Sequence, residues 1–497
     1  MRILWLIERV QSCKIIPARC SPLRLGRGVS SNDNKQGEGD LAEAINIGRY
    51  IDDRPLSAFQ IRAICLCALV IGLDGFDAQA LGFVAPALSK DLHLAPGALG
   101  PVFGASLFGV MIGSLLFGAL ADYFGRKWLV VAGVLVFALG SLATSRAGSV
   151  SDLVILRFMT GLGLGGVLPN TIALTSEYSP QRRRTLLIML MFMTVSLGSA
   201  IGGWVAAKLI SAYGWQVIFM VGGFLPLVLC PVLILWLPES LSLLALDARK
   251  SGRVRALLAR IDPSASFAAD ARFTIVEESG KGFLLPQLFT RHRLVPTLLL
   301  WVMFFMNMLD IYFLNSWLPT LTHGVGLDLQ AAIAVGVAFQ VGGMLGTVAL
   351  GLLIERLGFH RVLFLTYAAG FISIVTIGLA GAALPILVPA VFIAGVAVIG
   401  GQIGCNAYAA RLYPTYIRAT GIGWALGMGR FGSILGVTVG GLMLAAQWGI
   451  PSLFQVSAVP QLCSALVILG LALLSMRRGG ALAGKTQHDA LSVPERA

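Results

Sequence analysis

The chain has 497 residues, is 57% hydrophobic and 12% charged, and carries a formal net charge of +13. Its mean hydropathy of +0.83 exceeds what a soluble core needs and points to repeated apolar runs of about 20 residues, each able to cross a hydrocarbon layer about 30 Å thick. The basic residues lie between those runs, which argues against nucleic acid as a partner and for loops facing anionic lipid, while seven cysteines without a CxxC pair and five scattered histidines argue against a disulfide framework or a metal site.

Residues 1–57 read as a largely disordered cytoplasmic tail, and Ile3–Ile7 is too short for a secretory signal. Six apolar spans follow within residues 58–238: Phe59–Ala80 (its end reaching Leu88), Ala98–Leu120, Trp128–Thr144, Leu153–Ser176, Leu186–Leu209 and Val217–Leu237. A hydrophilic central loop occupies residues 239–293. Six more spans fill residues 294–476: Leu294–Leu318, Ala331–Ile354, Val362–Leu379, Leu384–Ala410, Ala419–Ala445 and Leu453–Ser475. Residues 477–497 form a polar C-terminal tail. The fold class expected is an all-α membrane protein of twelve transmembrane helices in two six-helix, pseudo-symmetric halves.

Lys and Arg set the orientation. Arg126 and Lys127, then Arg182, Arg183 and Arg184, then most of the central loop, then Arg356, Arg361, Arg411 and Arg418 all fall on one side; the other side shows only Lys90, Arg146 and Lys208. Both termini and the central loop are therefore expected in the cytoplasm of a cell whose inner membrane holds the chain.

Span 1 contains the most costly residues of the chain. Asp74 and Asp77 interrupt an apolar run, and a carboxylate near a bilayer centre costs roughly 2.5–3.5 kcal/mol on insertion scales. Three residues apart, they lie about 60° from each other around a helix and share a face. That face is expected to line a polar cavity. There the pair can bind and release a proton, with Asp77 as first choice and Asp74 as partner; tying helices together is the competing role.

The halves repeat. Asp74, Asp77 and Pro86 recur as Asn307, Asp310 and Pro319, each 233 residues later; Gly118, Asp122 and Gly125 recur as Gly351, Glu355 and Gly358 at the same offset; Pro180 and Arg184 recur as Pro414 and Arg418, 234 later. Six spans per half make the repeat parallel, with a site expected between the halves at mid-membrane and alternating access by rocking. Asp310 is thus a second proton-coupling candidate, with a structural role equally open.

Buried cations matter as much as buried acids, because any anionic cargo would need one. Arg430, about 11 residues into span 11, and Arg157, near the outer end of span 4, are the candidates; a guanidinium fork matches a carboxylate. Asp74 and Asp77 stand ~22–27 Å up span 1 at 1.5 Å per residue, so an Arg157–Asp contact is expected too. In span 7, Asn307, Asp310 and Asn315 offer hydrogen bonds to a cargo, and Phe304, Phe305, Tyr312 and Trp317 offer faces for stacking. Gln402, Asn406 and Tyr408 of span 10 are weaker candidates.

GALADYFGRK at Gly118–Lys127, with its degenerate copy Gly351–Arg361, resembles the loop 2–3 signature of the major facilitator superfamily. Within it, IDDRPLSAFQ, DGFDAQALGFVAPAL, Arg157–Glu177 and Ile417–Gly432 resemble the aromatic acid:proton symporters. The resemblance covers about residues 50–476. It implies proton-coupled import of hydroxybenzoate-, benzoate- or phenylpropanoid-type carboxylates by a chain expected to act as a monomer, without cofactor. It further implies a loop network of Gly118, Asp122, Gly125, Arg126, Lys127, Glu177, Arg184, Glu355 and Arg418 that latches the outward-open state. In it Asp122 faces the start of span 11, Arg126 reaches Glu177, and Glu355 and Arg356 pair with Glu239.

Three other readings compete. A drug:proton antiporter is disfavoured because Ser199 stands where its span 5 motif carries proline, and a sugar transporter because the span 7 Gln-Gln pattern is absent. A membrane sensor of aromatic acids without transport lacks a visible signalling domain. No nucleophile–base set or nucleotide loop supports an enzyme.

Overall fold

The computed structural model describes residues 45–95, 97–245, 247–264, 267, 273–274, 285–290, 293–413 and 415–491. Twelve of its helices are long and apolar enough to cross a membrane, making this a multi-pass membrane protein. They are α1 (Ala58–Asp91), α2 (Gly100–Phe124), α3 (Arg126–Thr144), α4 (Val150–Glu177), α5 (Gln181–Tyr213), α6 (Gln216–Trp236), α7 (Leu294–Gly324), α8 (Leu329–Leu357), α9 (Phe359–Ala380), α10 (Leu384–Leu412), α11 (Thr415–Ala445) and α12 (Ile450–Leu491).

The helices overrun the apolar runs, and local chemistry explains where α1 and α5 start. Ser57 caps α1: its Oγ accepts from Gln60 N at 3.3 Å while Ser57 N donates to Gln60 Oε1 at 2.9 Å, a reciprocal capping box. α5 begins directly after Pro180, so Arg182, Arg183 and Arg184 stand on its first turns and not in a loop. α10 is interrupted by a π-turn at Val396–Gly400.

Glycine sets the close packing within each half. On α4, a Cβ at Gly161 or Gly165 would overlap the α2 backbone at Ser106 and Val110, and one at Gly163 would come within 2.6 Å of the Gly133 carbonyl on α3. On α5, a Cβ at Gly198 would overlap the Gly72 carbonyl, and Ser199 Oγ donates to Gly75 O at 2.6 Å. Ser199 thus ties α5 to α1 where a proline would have no donor.

The segment after α6 is more than a linker. A helix at Ser251–Ile261 buries Val254, Leu258 and Ile261, spaced four and three apart on one face, against Ile47 and Ile51 of a short helix (Ile47–Asp52) that precedes α1. Strands β1 (Ile45–Asn46) and β2 (Phe273–Thr274) pair in parallel beside them. Arg54 Nε meets Asp262 Oδ2 at 2.8 Å and its guanidinium stacks 3.6 Å from the Tyr50 ring centroid. Hydrogen bonds from Ser264 and Arg54 hold the Asp262 carboxyl down at about 2, below the ordinary carboxylate range. The expected tail therefore gains structure from residue 45 onward; residues 1–44 lie outside the described ones.

Candidate transport site between the two halves

The halves meet at one end and part at the other. Away from the Arg- and Lys-rich loops, α2 packs on α11 so closely that a Cβ at Gly441 would lie 2.9 Å from Gly100 Cα, and Phe103 meets Trp317 edge-on at 5.2 Å. Three amides close this far end across the halves: Gln79 Nε2 of α1 donates to Asn315 O of α7 at 2.5 Å, and Gln340 Nε2 of α8 donates to Gln79 Oε1 at 3.1 Å and to Asn315 Oδ1 at 2.9 Å. At the basic end, a Cβ at Gly118, Gly351, Gly423 or Gly427 meets no atom within 4 Å, and Tyr123 is 86% exposed. The structure is open toward the basic loops and sealed at the opposite face.

Above the opening, the α1 acids occupy different surroundings. Asp77 is buried, and both its oxygens accept from Arg157 Nη1 of α4 at 3.1 Å. Arg157 is 1% exposed; its Nη2 donates to Thr144 and Thr160 at 3.2 Å each, and the Phe219 ring covers it with the centroid 4.8 Å from Cζ. Ser141 Oγ, 3.4 Å from Asp77 Oδ1, completes the shell. Asp74 is half-buried, close enough to Asp77 and to Arg430 of the other half to feel both charges. Arg430 is half-buried, and its Nη1 lies 3.5 Å from the Tyr312 hydroxyl.

The repeat-related acid is built differently. Asp310 is fully buried on α7, and Gln461 Nε2 of α12 donates to its Oδ2 at 2.8 Å and to Asn307 Oδ1 at 3.2 Å. Asn307 Nδ2 donates to Gln402 Oε1 at 2.9 Å and to Val398 O, in the π-turn, at 3.0 Å; Gln402 Nε2 passes on to Asn406 Oδ1 at 3.3 Å. Where Arg157 stands in the first half, Ala390 and Val391 stand 233 and 234 residues later, so the second acid has lost its cation.

The loop network holds the expected Arg126–Glu177 pair and departs from expectation at Glu239. Arg126 Nη1 pairs with Glu177, and Ser240 Oγ and Ser242 N donate to the same carboxylate at 2.8–3.2 Å. All four residues belong to the first half and its exit, so the cluster survives while the halves are parted. Glu239 does not meet Glu355 or Arg356, which are exposed; it accepts from Lys127 N at 3.1 Å, capping α3. Gly125 is required there twice over, by its φ of +93° and because a Cβ would lie 2.5 Å from Glu239 Oε2. Arg184 is half-buried on the first turn of α5. The side chains of Asp122 and Arg418 lie outside the described residues.

Of the span 7 aromatics, Phe304 and Trp317 are buried in packing, Trp317 Nε1 donating to Val437 O at 3.0 Å. Tyr408 is buried against His360. Sequence reasoning missed Thr144, Thr160, Gln79, Gln340 and Gln461. The three glutamines were findable as lone amides in apolar runs; the two threonines carry no such signal, because threonine bonds its own helix.

The major facilitator superfamily model matches residues 67–400 and 300–493. A 4-hydroxybenzoate transporter of Pseudomonas aeruginosa is 41% identical over 430 residues, covering 86% of this chain and 96% of that protein. A gallate transporter of Pseudomonas putida is 39% identical over 426 residues (86% and 94%), and a 3-(3-hydroxy-phenyl)propionate transporter of Escherichia coli 35% over 408 residues (82% and 92%). Among solved structures, a point mutant of the nucleoside transporter NupG superposes with a TM-score of 0.63 at 15% identity, covering 83% of this chain and 99% of that one. A bacterial homologue of the lysosomal transporter Spinster, inward-facing and unoccupied, gives 0.59 at 15% identity (84% and 96%). The chain belongs to the major facilitator superfamily.

Proposed function

We propose that the protein imports aromatic carboxylates with protons, by alternating access, across a cytoplasmic membrane. The substrate class is that of relatives that transport hydroxybenzoate, gallate, benzoate and hydroxyphenylpropionate. The basic loops face the cytoplasm, so the parted end opens inward and the sealed end faces out.

The observation that carries the mechanism is the placing of the four charges. Asp77 and Arg157 balance each other inside the first half; Asp74 of the first half lies within electrostatic reach of Arg430 of the second. Protonating Asp77 would strand the buried Arg157, and breaking a buried pair costs about 3–5 kcal/mol. Protonating Asp74 strands nothing that substrate does not cover. Asp74, and not Asp77, therefore carries the proton.

Arg430 receives the substrate carboxylate, with the Tyr312 hydroxyl beside it. The arriving anion cancels the charge that balanced Asp74, and a proton on Asp74 restores neutrality. The empty site and the fully loaded site are both neutral. Substrate alone leaves one negative charge and a proton alone one positive charge, which the closed, low-dielectric intermediate disfavours. Coupling follows from that charge balance.

The test is Asp74→Asn in cells or vesicles with a labelled panel of aromatic acids. Uphill accumulation should fail while substrate counterflow persists. Full accumulation by Asp74→Asn removes the residue from coupling, and absence of uptake of every aromatic acid by the parent protein overturns the substrate class.

A further inference from the structure

We infer that Asp310 and Gln461 form a proton-binding site of their own: an acid–amide pair that keeps one proton resident on Asp310 throughout the transport cycle. The inference does not depend on which substrate the chain carries.

Hydrogen-bond valence in the second half supports it. Asp310 is fully buried, and among the described residues its hydrogen-bond donor is Gln461 Nε2, to Oδ2. Among the described residues, two acceptors on the same two side chains have no partner, Asp310 Oδ1 and Gln461 Oε1. An unpartnered buried acceptor is costly, and two on paired groups ask for one common donor. A single proton on Oδ1 supplies the donor that both acceptors lack, and with the Nε2–Oδ2 bond would allow the two-bond pairing that a carboxylic acid makes with a primary amide.

A metal cation fits less well. Gln461 Nε2, a donor, sits between Asp310 Oδ2 and Asn307 Oδ1 and occupies the place where a cation would draw those oxygens together. The residues that replace Arg157 in this half are alanine and valine, so no guanidinium balances a carboxylate there.

The site also has a mechanical position. Through Asn307 it continues to Gln402 and to the Val398 carbonyl freed by the π-turn, joining α7, α10 and α12. Gly370 of α9 backs it: a Cβ there would come within 2.9 Å of Gln461 Oε1. Of the titratable groups on the helices packed around it, Tyr367 and Cys405 are engaged with each other at 2.9 Å, Tyr312 lies beside Arg430 at 3.5 Å, and Cys463 stands two residues after Gln461. A resident proton keeps this acid uncharged in every state, so that only the Asp74–Arg430 balance changes during transport.

Asp310→Asn replaces the acid by the isostere of its protonated form and should keep uphill accumulation within about twofold of the parent. Gln461→Leu should lose it, and the exchanged pair Asp310→Asn/Gln461→Glu should restore it. Infrared spectroscopy of protein with isotopically labelled aspartate, in the Asp74→Asn background, should show a protonated carboxyl at about pH 8, far above the ordinary carboxylate range. An Asp310→Asn protein that keeps counterflow but no longer accumulates substrate, or a spectrum holding only ionised aspartate, overturns the proposal. The spectrum decides the matter even if the variants fail to assemble.

Discussion

Arg157 reaches Asp77 with a single nitrogen, Nη1, which stands 3.1 Å from both carboxylate oxygens, and spends its other amino group on two threonines. The carboxylate and both amino groups are engaged within the cluster, and of its polar atoms only Arg157 Nε is left without a partner among the described residues, which marks a fixed ion pair and not a substrate arm. Asp77→Asn should therefore lower unfolding stability by about 3–5 kcal/mol, the cost of a buried charge without its partner. The double variant Asp77→Asn/Arg157→Gln should regain most of it. Denaturation of the detergent-solubilised proteins measures this; an Asp77→Asn protein as stable as the parent would mean that Arg157 finds another anion.

Arg430 is the opposite case, half-buried, and among the described residues its side chain is held by a 3.5 Å approach to Tyr312. Its fork is free for a carboxylate. Arg430→Lys keeps the charge and loses the two-pronged geometry. The expected result is a KM for aromatic acid about tenfold higher, equal to about 1.4 kcal/mol, with thermal stability unchanged. Equal KM values would assign Arg430 to structure.

How much of this could be read from the chain depends on the kind of interaction. The twelve spans and the repeat were legible because a bilayer demands long apolar runs and because Asp74, Asp77 and Pro86 recur at a constant offset as Asn307, Asp310 and Pro319. The acids and arginines stood out because charge in an apolar run is costly. The division of labour between Asp74 and Asp77 was not legible. It turns on whether Arg157 of α4 or Arg430 of α11 stands opposite each acid, and helical spacing says nothing about neighbours from other helices. Likewise Glu239 offered no sign of capping α3 rather than meeting Glu355, since that depends on where the chain turns after α6.

The amide seal gives a conformational prediction. Gln79, Asn315 and Gln340 join three helices across the halves only while the far end is closed. Gln340→Leu removes two of those bonds. Gly441→Val sets bulk against Gly100, where even a Cβ would lie 2.9 Å from its Cα. Both should shift the population toward the state open at the far end, Gly441→Val more strongly. A cysteine placed at Phe103, buried against Trp317 at the sealed end, should then react faster with a membrane-impermeant thiol reagent added from outside. Unchanged labelling in both variants would show that the seal does not set the equilibrium.

The charge balance at Asp74 and Arg430 yields the most demanding prediction. A monoanionic aromatic acid enters with one proton, so the loaded and empty sites differ by no net charge. Transport should then follow the pH difference across the membrane and ignore the electrical potential, although that potential is worth about 2.3 kcal/mol per charge at 100 mV. In proteoliposomes, an inside-alkaline gradient should drive accumulation, and a potassium-diffusion potential, negative inside, should not. Arg430→Gln leaves the loaded site with one negative charge unless a second proton enters. Any residual uptake by that variant should be slowed by a negative interior, or else carry an extra proton. Accumulation by the parent protein under the potential alone would require at least two protons per anion, and would return Asp77 or Asp310 to the list of proton carriers.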